Sequence, residues 1–404
     1  MKRCIALGTK LKGFVVERKE GSFLVFSDLH VHTHKMYARE VNGRNTRLDV
    51  ALSILDQILE YANAHGINYV MFAGDLFDVN NRVPVNVIND TMQAFAKWSA
   101  CGLQVLMVPG NHDHTVKDGS SHSLEVFRQL EGFVVMDSIG TIDWGGVRVH
   151  CVPYREHLEE SMFAFEKAQD KLNVVLGHGN MEGMANYPHI LPEDPKASHG
   201  DWIRTQWVCD QGIDLAIFGH VHRAEKRYHP KGDPQYKTTL LVPGCPYAEG
   251  PSEDEKDQKG SFWEVRWEVY EDGEAFCGLF REETKHPLFL DFSFEERAGV
   301  TFEMKEEARK GNILRLFPES ELIPPHKLNE ARQALYEQGA AYVEIGTPKK
   351  KKEKESPRIK LANVKSPEQA LEKVLVSGLV DLQGLEVEAL LSLGKEYIEK
   401  AKKG

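Results

Sequence analysis

No stretch of about 18 apolar residues occurs in the 404-residue chain, so no membrane-spanning helix is expected. The basic N-terminus carries an apolar stretch, Ile5 to Leu7, far too short for the core of a secretory signal. No Cys-x-x-Cys pair exists among the six cysteines, Cys4, Cys101, Cys151, Cys209, Cys245 and Cys277. They read as reduced, mostly buried thiols of a cytoplasmic protein. Excess positive charge is missing too. The formal net charge is −11, so the long-range field repels a polyanion. A nucleic-acid ligand would need local basic patches or bound cations to offset it. No internal repeat is visible.

What is present suffices for one large domain plus a smaller one, or two of medium size: 41% of the residues are hydrophobic and 27% charged. A short buried strand, Phe23 to Phe26, precedes a helix over Leu48 to Ala64 whose Leu48, Leu52, Leu55 and Leu59 recur at helical spacing. Gly66 stops it. The pattern repeats: strand Tyr69 to Ala73, helix Val85 to Ala100, strand Leu103 to Val108. Strand and helix alternating through short loops argue for right-handed βαβ units. From Phe133 to Val152 short apolar runs broken by glycine predict antiparallel strands, followed by a helix near Leu158 to Ala168. Further strands are expected at Val174 to Leu176, at Asp214 to Phe218, in "TTLLVPG" and in "GSFWEVRWEVY". The fold class is therefore α/β, two sheets stacked face to face with helices outside.

A second, smaller unit begins near His286, with strands at Asn312 to Phe317 and Ala341 to Ile345 around a helix stopped by Gly339. The charged run of residues 347–358 reads as a linker, its lysines 349–352 more a solvated stretch than a DNA contact. Two helices close the chain. The first opens on a capping box, Ser366 to Gln369, and the second presents Val387, Leu390, Leu391, Ile398 and Ala401.

Chemistry-bearing residues gather at the C-terminal ends of five strands: Asp28 and His30; Asp75; Asn111 and His112; His178; His220 and His222. That end is where open α/β sheets place their ligands. Carboxylate, amide oxygen and imidazole suit borderline-to-hard divalent ions, and no cysteine stands among them, which disfavours structural zinc. If these segments are extended, Asp28/His30 and His220/His222 each point one way and chelate together. So many candidate ligands exceed one tetrahedral ion and suit two ions sharing a carboxylate.

The strings "DLH", "GD", "GNHD", "GH" and "GHVH" occur complete and in this order. In this the chain resembles the calcineurin-like metallophosphoesterases over roughly residues 22–275. The resemblance implies a four-layer α/β/β/α sandwich of two mixed sheets. It implies one ion on Asp28, His30, Asp75 and His222, and a second on Asp75, Asn111, His178 and His220, with Asp75 bridging. It makes His112 the catalytic histidine at the leaving group. Mn²⁺ is the first choice of cofactor, with Mg²⁺, Fe²⁺ or Zn²⁺ as alternatives. Such an ion pair polarises a phosphodiester and activates water for in-line attack.

"GDLFD" with Pro84 shortly after, and the layout as a whole, resemble the SbcD-like nuclease subunits of double-strand-break repair complexes. That likeness implies an N-terminal extension (1–21), a nuclease domain (22–283), a small α+β capping domain (284–346), a charged linker (347–360) and a C-terminal helical segment (361–404). It implies DNA as substrate and an SbcC-like coiled-coil ATPase docked on the C-terminal helices, in the cytoplasm, or the host cytoplasm for a viral member; a homodimer stays open. The chain departs from the branch in "SDLHVHTHK" and at Asp78, which stands where some relatives have a second active-site histidine and is given no catalytic role. His32, His34 and His114 have no slot in the pattern. Asp113 either orients His112 or stabilises its turn, and His122 and His150 read as structural. Two other readings remain: a phosphoesterase for a small substrate such as a nucleotide or a phosphoprotein, and a non-catalytic scaffold.

Overall fold

The computed structural model describes residues 18–78, 82–115, 121–156, 158, 164–184, 202–229, 238–251, 259–347, 371 and 387–403. The lysine run 349–352 and the capping box at Ser366 lie outside the described residues. In chain order, β1 (Arg18–Phe26) leads through a small hairpin, β2 (Glu40–Val41) and β3 (Arg44–Asn45), into α1 (Thr46–His65). Then come β4 (Tyr69–Phe72), α2 (Val85–Ala100), β5 (Gln104–Met107), a 3₁₀ segment (Ser123–Gln129) and β6 (Phe133–Val135). The middle of the chain forms β7 (Gly140–Trp144), β8 (Val147–Val152), β9 (Asn173–His178), β10 (Asn180–Met181), β11 (Trp202–Ile203), α3 (Thr205–Asp210) and β12 (Leu215–Gly219). It continues with β13 (Glu225–His229), β14 (Thr238–Val242), β15 (Ser261–Tyr270) and β16 (Ala275–Glu283). The last stretch holds β17 (Phe289–Phe294), α4 (Phe302–Arg309), β18 (Ile313–Pro318), α5 (Pro325–Gln338), β19 (Tyr342–Ile345) and α6 (Val387–Lys403).

Two six-stranded mixed sheets, ordered β16-β15-β1-β4-β5-β6 and β13-β14-β12-β9-β8-β7, stack face to face. Strand alternation divides their side chains. Phe23, Val25, Met71 and Leu106 of the first sheet meet Val149, Val174, Leu176 and Ile217 of the second in the central layer. The opposite faces of the same strands, Leu24, Phe26, Val70 and Val105, pack on Ile54, Leu55 and Ile58 of α1 and on Phe95 and Trp98 of α2. Among the described residues, loops and the six-residue α3 cover the outer face of the second sheet. This is the expected four-layer sandwich.

Local sequence explains the frame. Asn45 caps α1, its side chain accepting from Arg47 N and Leu48 N, worth about 1 kcal/mol. Gly66 ends α1 in the left-handed conformation at φ 68°. Strands β1, β4 and β5 run parallel, as do β8, β9 and β12, so the C-terminal ends of both sets gather at one edge of the sandwich.

Four sequence readings need correction. Residues Arg18 to Gly21, assigned to the extension, are strand, paired with Tyr270 to Trp267. Phe133–Val135 is not antiparallel: it extends the first sheet as a parallel neighbour of β5. Of the helix expected over 158–168, the described residues 158 and 164–168 are irregular. There the Asn173 side chain bonds the Ala168 backbone at both N and O, and Phe165 packs on His150, contacts that replace a helical ladder. The small unit has three parallel strands, not two, and a further helix, α4. It carries its own core of Leu314, Leu316, Met304, Ala308 and Leu335.

Candidate metal centre

Sheet geometry brings every residue of the expected set to one cleft. Asp28 and His30 follow β1, Asp75 follows β4, and Asn111 and His112 follow β5. His178 ends β9, and His220 and His222 follow β12. These loops are not extended. Asp28, His30, Asp75 and His220 have φ of 53°, 47°, 60° and 100°, four of the six described non-glycine residues in the left-handed region. A left-handed L-residue costs about 1 kcal/mol or more, and such strain collects at functional sites. The expectation that alternate residues of an extended strand chelate together therefore fails for His220 and His222. The turn at His220 sends the two rings to different clusters.

One cluster is Asp28, His30 and His222 and another is Asp75, His178 and His220; His30 and Asp75 also group with His112, between the two. In each, one ligand atom per residue lies within 4.8 Å of the others. His30 Nε2 and His222 Nε2 are 3.2 Å apart. Asn111 Oδ1 sits between the second cluster's rings, 3.0 Å from His178 Nε2 and 2.9 Å from His220 Nδ1. Asp75 Oδ2 is 3.2 Å from His178 Nε2 and 3.9 Å from His30 Nε2, so one carboxylate faces both clusters. Imidazole nitrogens, an amide oxygen and carboxylates converging in this way fit a pair of divalent cations.

The deep cluster is fixed by backbone. His178 Nδ1–H donates to the Ala73 carbonyl at 2.7 Å, across the two sheets, which turns Nε2 toward the cleft. His220 N donates to Asp28 Oδ1 at 2.9 Å, a second tie between the sheets. Glycine precedes Asp75, Asn111, His178 and His220 because the strands converge too closely for a side chain. A Cβ on Gly74 would overlap the His178 ring, and one on Gly110 would overlap the Asp75 carboxylate.

Asp113 orients the turn, not His112. Its Oδ2 accepts from Asp75 N (2.9 Å) and Gly110 N (3.0 Å), and its Oδ1 from Leu76 N (3.0 Å) and Phe77 N (3.3 Å). Burial, with the Asp75 carboxylate beside it, still raises its pKa to about 7. His112 is tethered otherwise. Its backbone N donates to Asp75 Oδ1 (2.8 Å) and its Nδ1–H to the Asp78 carbonyl (2.8 Å), leaving Nε2 for the cleft. Its side chain is 35% exposed, at the mouth.

Charge follows the same plan. Burial alone would lower the His178 pKa, but Asp75 beside it wins and raises it to about 9. Burial would raise Asp75; His178, then His30 and His112, hold it below the usual carboxylate range.

Residues 21–224 match the family model of the calcineurin-like phosphoesterases. The chain belongs to this family. As a calcineurin-like phosphoesterase it is similar to the DNA double-strand break repair protein Mre11 of Saccharolobus solfataricus, 19% identical over 198 residues, covering 48% of this chain and 49% of that protein. It is also similar to the uncharacterized protein YpbG of Bacillus subtilis, 22% identical over 230 residues, covering 54% and 77%. Among solved structures, the purple acid phosphatase PPD1 from yellow lupin seeds matches with 16% identity and a TM-score of 0.40, covering 64% of this chain and 53% of that one. The phosphoesterase chain spans about half the length of Mre11 and of PPD1.

Histidines outside the motif have structural places. His114 is buried, its ring nitrogen 3.2 Å from the Tyr154 carbonyl. His150 bonds Thr141, and His122 meets Asp137. His34 bonds the His30 carbonyl, and His32 stacks edge-on against His34. Sequence reasoning missed Glu249, whose Oε2 is 2.9 Å from His222 Nδ1. Burial would raise its pKa, but the His222 hydrogen bond and nearby His30 lower it to about 2. Nothing in the stretch Cys245 to Gly250 marks it. Asp78, given no role, lies with Oδ1 3.7 Å from His30 Nδ1. No helix among the described residues is long and apolar enough to cross a membrane.

Proposed function

We propose that this phosphoesterase is a two-metal, Mn²⁺-dependent DNA nuclease with exonuclease and endonuclease action, the nuclease subunit of an SbcCD-like complex. The observation that carries the reading is the pair of ligand clusters sharing Asp75, with His112 beside them at the cleft mouth. Asp28, His30, Asp75 and His222 would hold one ion, and Asp75, Asn111, His178 and His220 the other. When bound, the ions supply Lewis-acid polarisation of a phosphoryl group, activation of water and neutralisation of developing charge. The protein's own part is positional. Backbone ties aim His178, and the Asp113 latch holds the turn that carries Asp75. His112, its Nδ1–H on the Asp78 carbonyl, presents Nε2 to the departing oxygen and protonates it.

The choice of DNA draws on the likeness to Mre11 and on the small α/β unit beyond the sandwich, which a small-molecule enzyme does not require. The C-terminal segment, residues 361–404, would dock the ATPase partner; α6 leaves Leu393 and Tyr397 exposed, at 51% and 66%. Purified protein with Mn²⁺ should degrade linear duplex DNA. Hydrolysis confined to a small chromogenic phosphodiester overturns the nuclease reading. Removing 361–404 should spare hydrolysis of that small diester and abolish co-purification with the ATPase; a truncated chain that still retains the partner overturns the docking site.

A further inference from the structure

The two histidines with the clearest tethers in the centre are held by different means. His178 is fully buried and its Nδ1 is fixed by a main-chain carbonyl. His222 is 44% exposed, and a partly solvated imidazole has rotamer freedom that the backbone does not remove. The contact that fixes its ring is with Glu249, 2.9 Å from Nδ1. With Nδ1–H donated to that carboxylate, Nε2 is turned to His30 Nε2 at 3.2 Å and toward the Asp28 cluster.

Glu249 is itself anchored. Arg47, buried at 3% exposure in the first turn of α1, donates through one guanidinium nitrogen to the Ala248 carbonyl (3.0 Å) and through another to the Glu249 carbonyl (2.9 Å). The same guanidinium lies over the Tyr247 ring at 5.1 Å. The loop carrying Glu249 is thus clamped from the helix beneath, and the carboxylate arrives at His222 on a fixed base. Oε1 of Glu249 is also 3.9 Å from His30 Nε2, so the carboxylate borders the same cluster from outside.

We infer that Glu249, seated on Arg47, is a positioning residue that orients His222 through Nδ1 and thereby sets the affinity of the Asp28/His30/His222 cluster for its cation, leaving the Asp75/His178/His220 cluster untouched. The inference rests on the two-metal reading above. A carboxylate behind a ligand histidine fixes its tautomer and raises its basicity, and losing such a partner weakens metal binding about 10–100-fold.

Calorimetric titration of the full chain with Mn²⁺ tests it, comparing wild type with Glu249→Gln and Glu249→Ala. Wild type should take up two ions. In Glu249→Ala one dissociation constant should weaken about 10–100-fold while the other stays put. Glu249→Gln keeps an oxygen acceptor for Nδ1–H without the charge and should fall between. If wild type binds two ions and both variants match it, the inference is overturned and the metal reading stands. If both constants weaken together, the residue acts on the fold as a whole and the positioning role is overturned. A wild-type chain that takes up no Mn²⁺ overturns the metal reading and this inference with it.

Discussion

The deep and outer clusters of the centre use similar side chains and are held by different physics. In the deep one, Asp75 and His178 are 2% and 0% exposed, and the His112 amide and the Ala73 carbonyl fix their orientation. In the outer one, Asp28 and His30 are just as buried, but His222 reaches them from the solvent side and depends on a carboxylate from another loop. Between them lies Asp75. The contrast is clearest at one histidine on each side: a main-chain carbonyl holds the His178 ring and a side-chain carboxylate the His222 ring. A cleft of this kind keeps one half fixed and leaves the other open to tuning by residues outside the motif.

Removing the shared residue breaks the comparison most. Asp75→Asn should abolish wild-type Mn²⁺ affinity at both clusters and lower activity at least as far as loss of His112 does. One cluster retaining its wild-type affinity in a titration would show that Asp75 serves only the other. Next in size is His112→Ser, which removes a ring that packs edge-on against His30 but keeps the backbone N–H on Asp75. Turnover should drop about 10²–10⁴-fold while both ions still bind. Loss of an ion in that variant would make His112 a ligand.

The same contrast decides what the sequence could reveal. The deep residues announce themselves because closeness demands glycine before each: Gly74-Asp75, Gly110-Asn111, Gly177-His178 and Gly219-His220 are legible as pairs. The sandwich was legible for a related reason, since helical and strand periodicities persist over α1, α2 and their flanking strands. Phe133–Val135 misled because three residues hold no periodicity, and its pairing is with the strand before it, β5, across a crossover, and not with the strands that follow. Glu249 was invisible because its role depends on Arg47, some two hundred residues earlier, lifting its loop to His222. Asp113 was half legible: its place next to His112 and its contact with the Gly110 amide lie in the motif, but its three other amide contacts exist only once Gly74 to Phe77 has turned back upon it.

Acid–base behaviour offers a test of intermediate size. His178 and His222 both have pKa values raised from 6.5 to about 9, the first by Asp75 and the second by Glu249, in each case against the lowering effect of burial. A raised pKa means stabilisation that is complete below 6.5 and lost as pH climbs through about 9. EDTA-treated protein should therefore melt at progressively lower temperature between pH 6.5 and 9. With Mn²⁺ the sign reverses, because cations take neutral imidazole and compete better as protons leave. The gap between the two melting curves should widen across this window. A gap that is constant with pH would mean that neither histidine exchanges its proton for a metal ion.

The smallest effect is expected where side chain and main chain of one residue can be told apart. Asp78 borders the outer half, with Oδ1 3.7 Å from His30 Nδ1 and 3.9 Å from His112 Nδ1, too far for a hydrogen bond to either. Its main-chain carbonyl, by contrast, accepts from His112 Nδ1–H at 2.8 Å. Asp78→Ala deletes the carboxylate and keeps the carbonyl. The tether on His112 survives, and turnover should fall by less than about tenfold, well short of the range for a lost proton donor. His30 loses only a distant, partly solvated charge, so the outer cluster should weaken less than in Glu249→Ala. Steady-state rates and a Mn²⁺ titration on this one variant separate the two cases. If Asp78→Ala loses as much activity as His112→Ser, the carboxylate and not the carbonyl holds His112 in the working protein, and the outer half then leans on two acidic side chains instead of one.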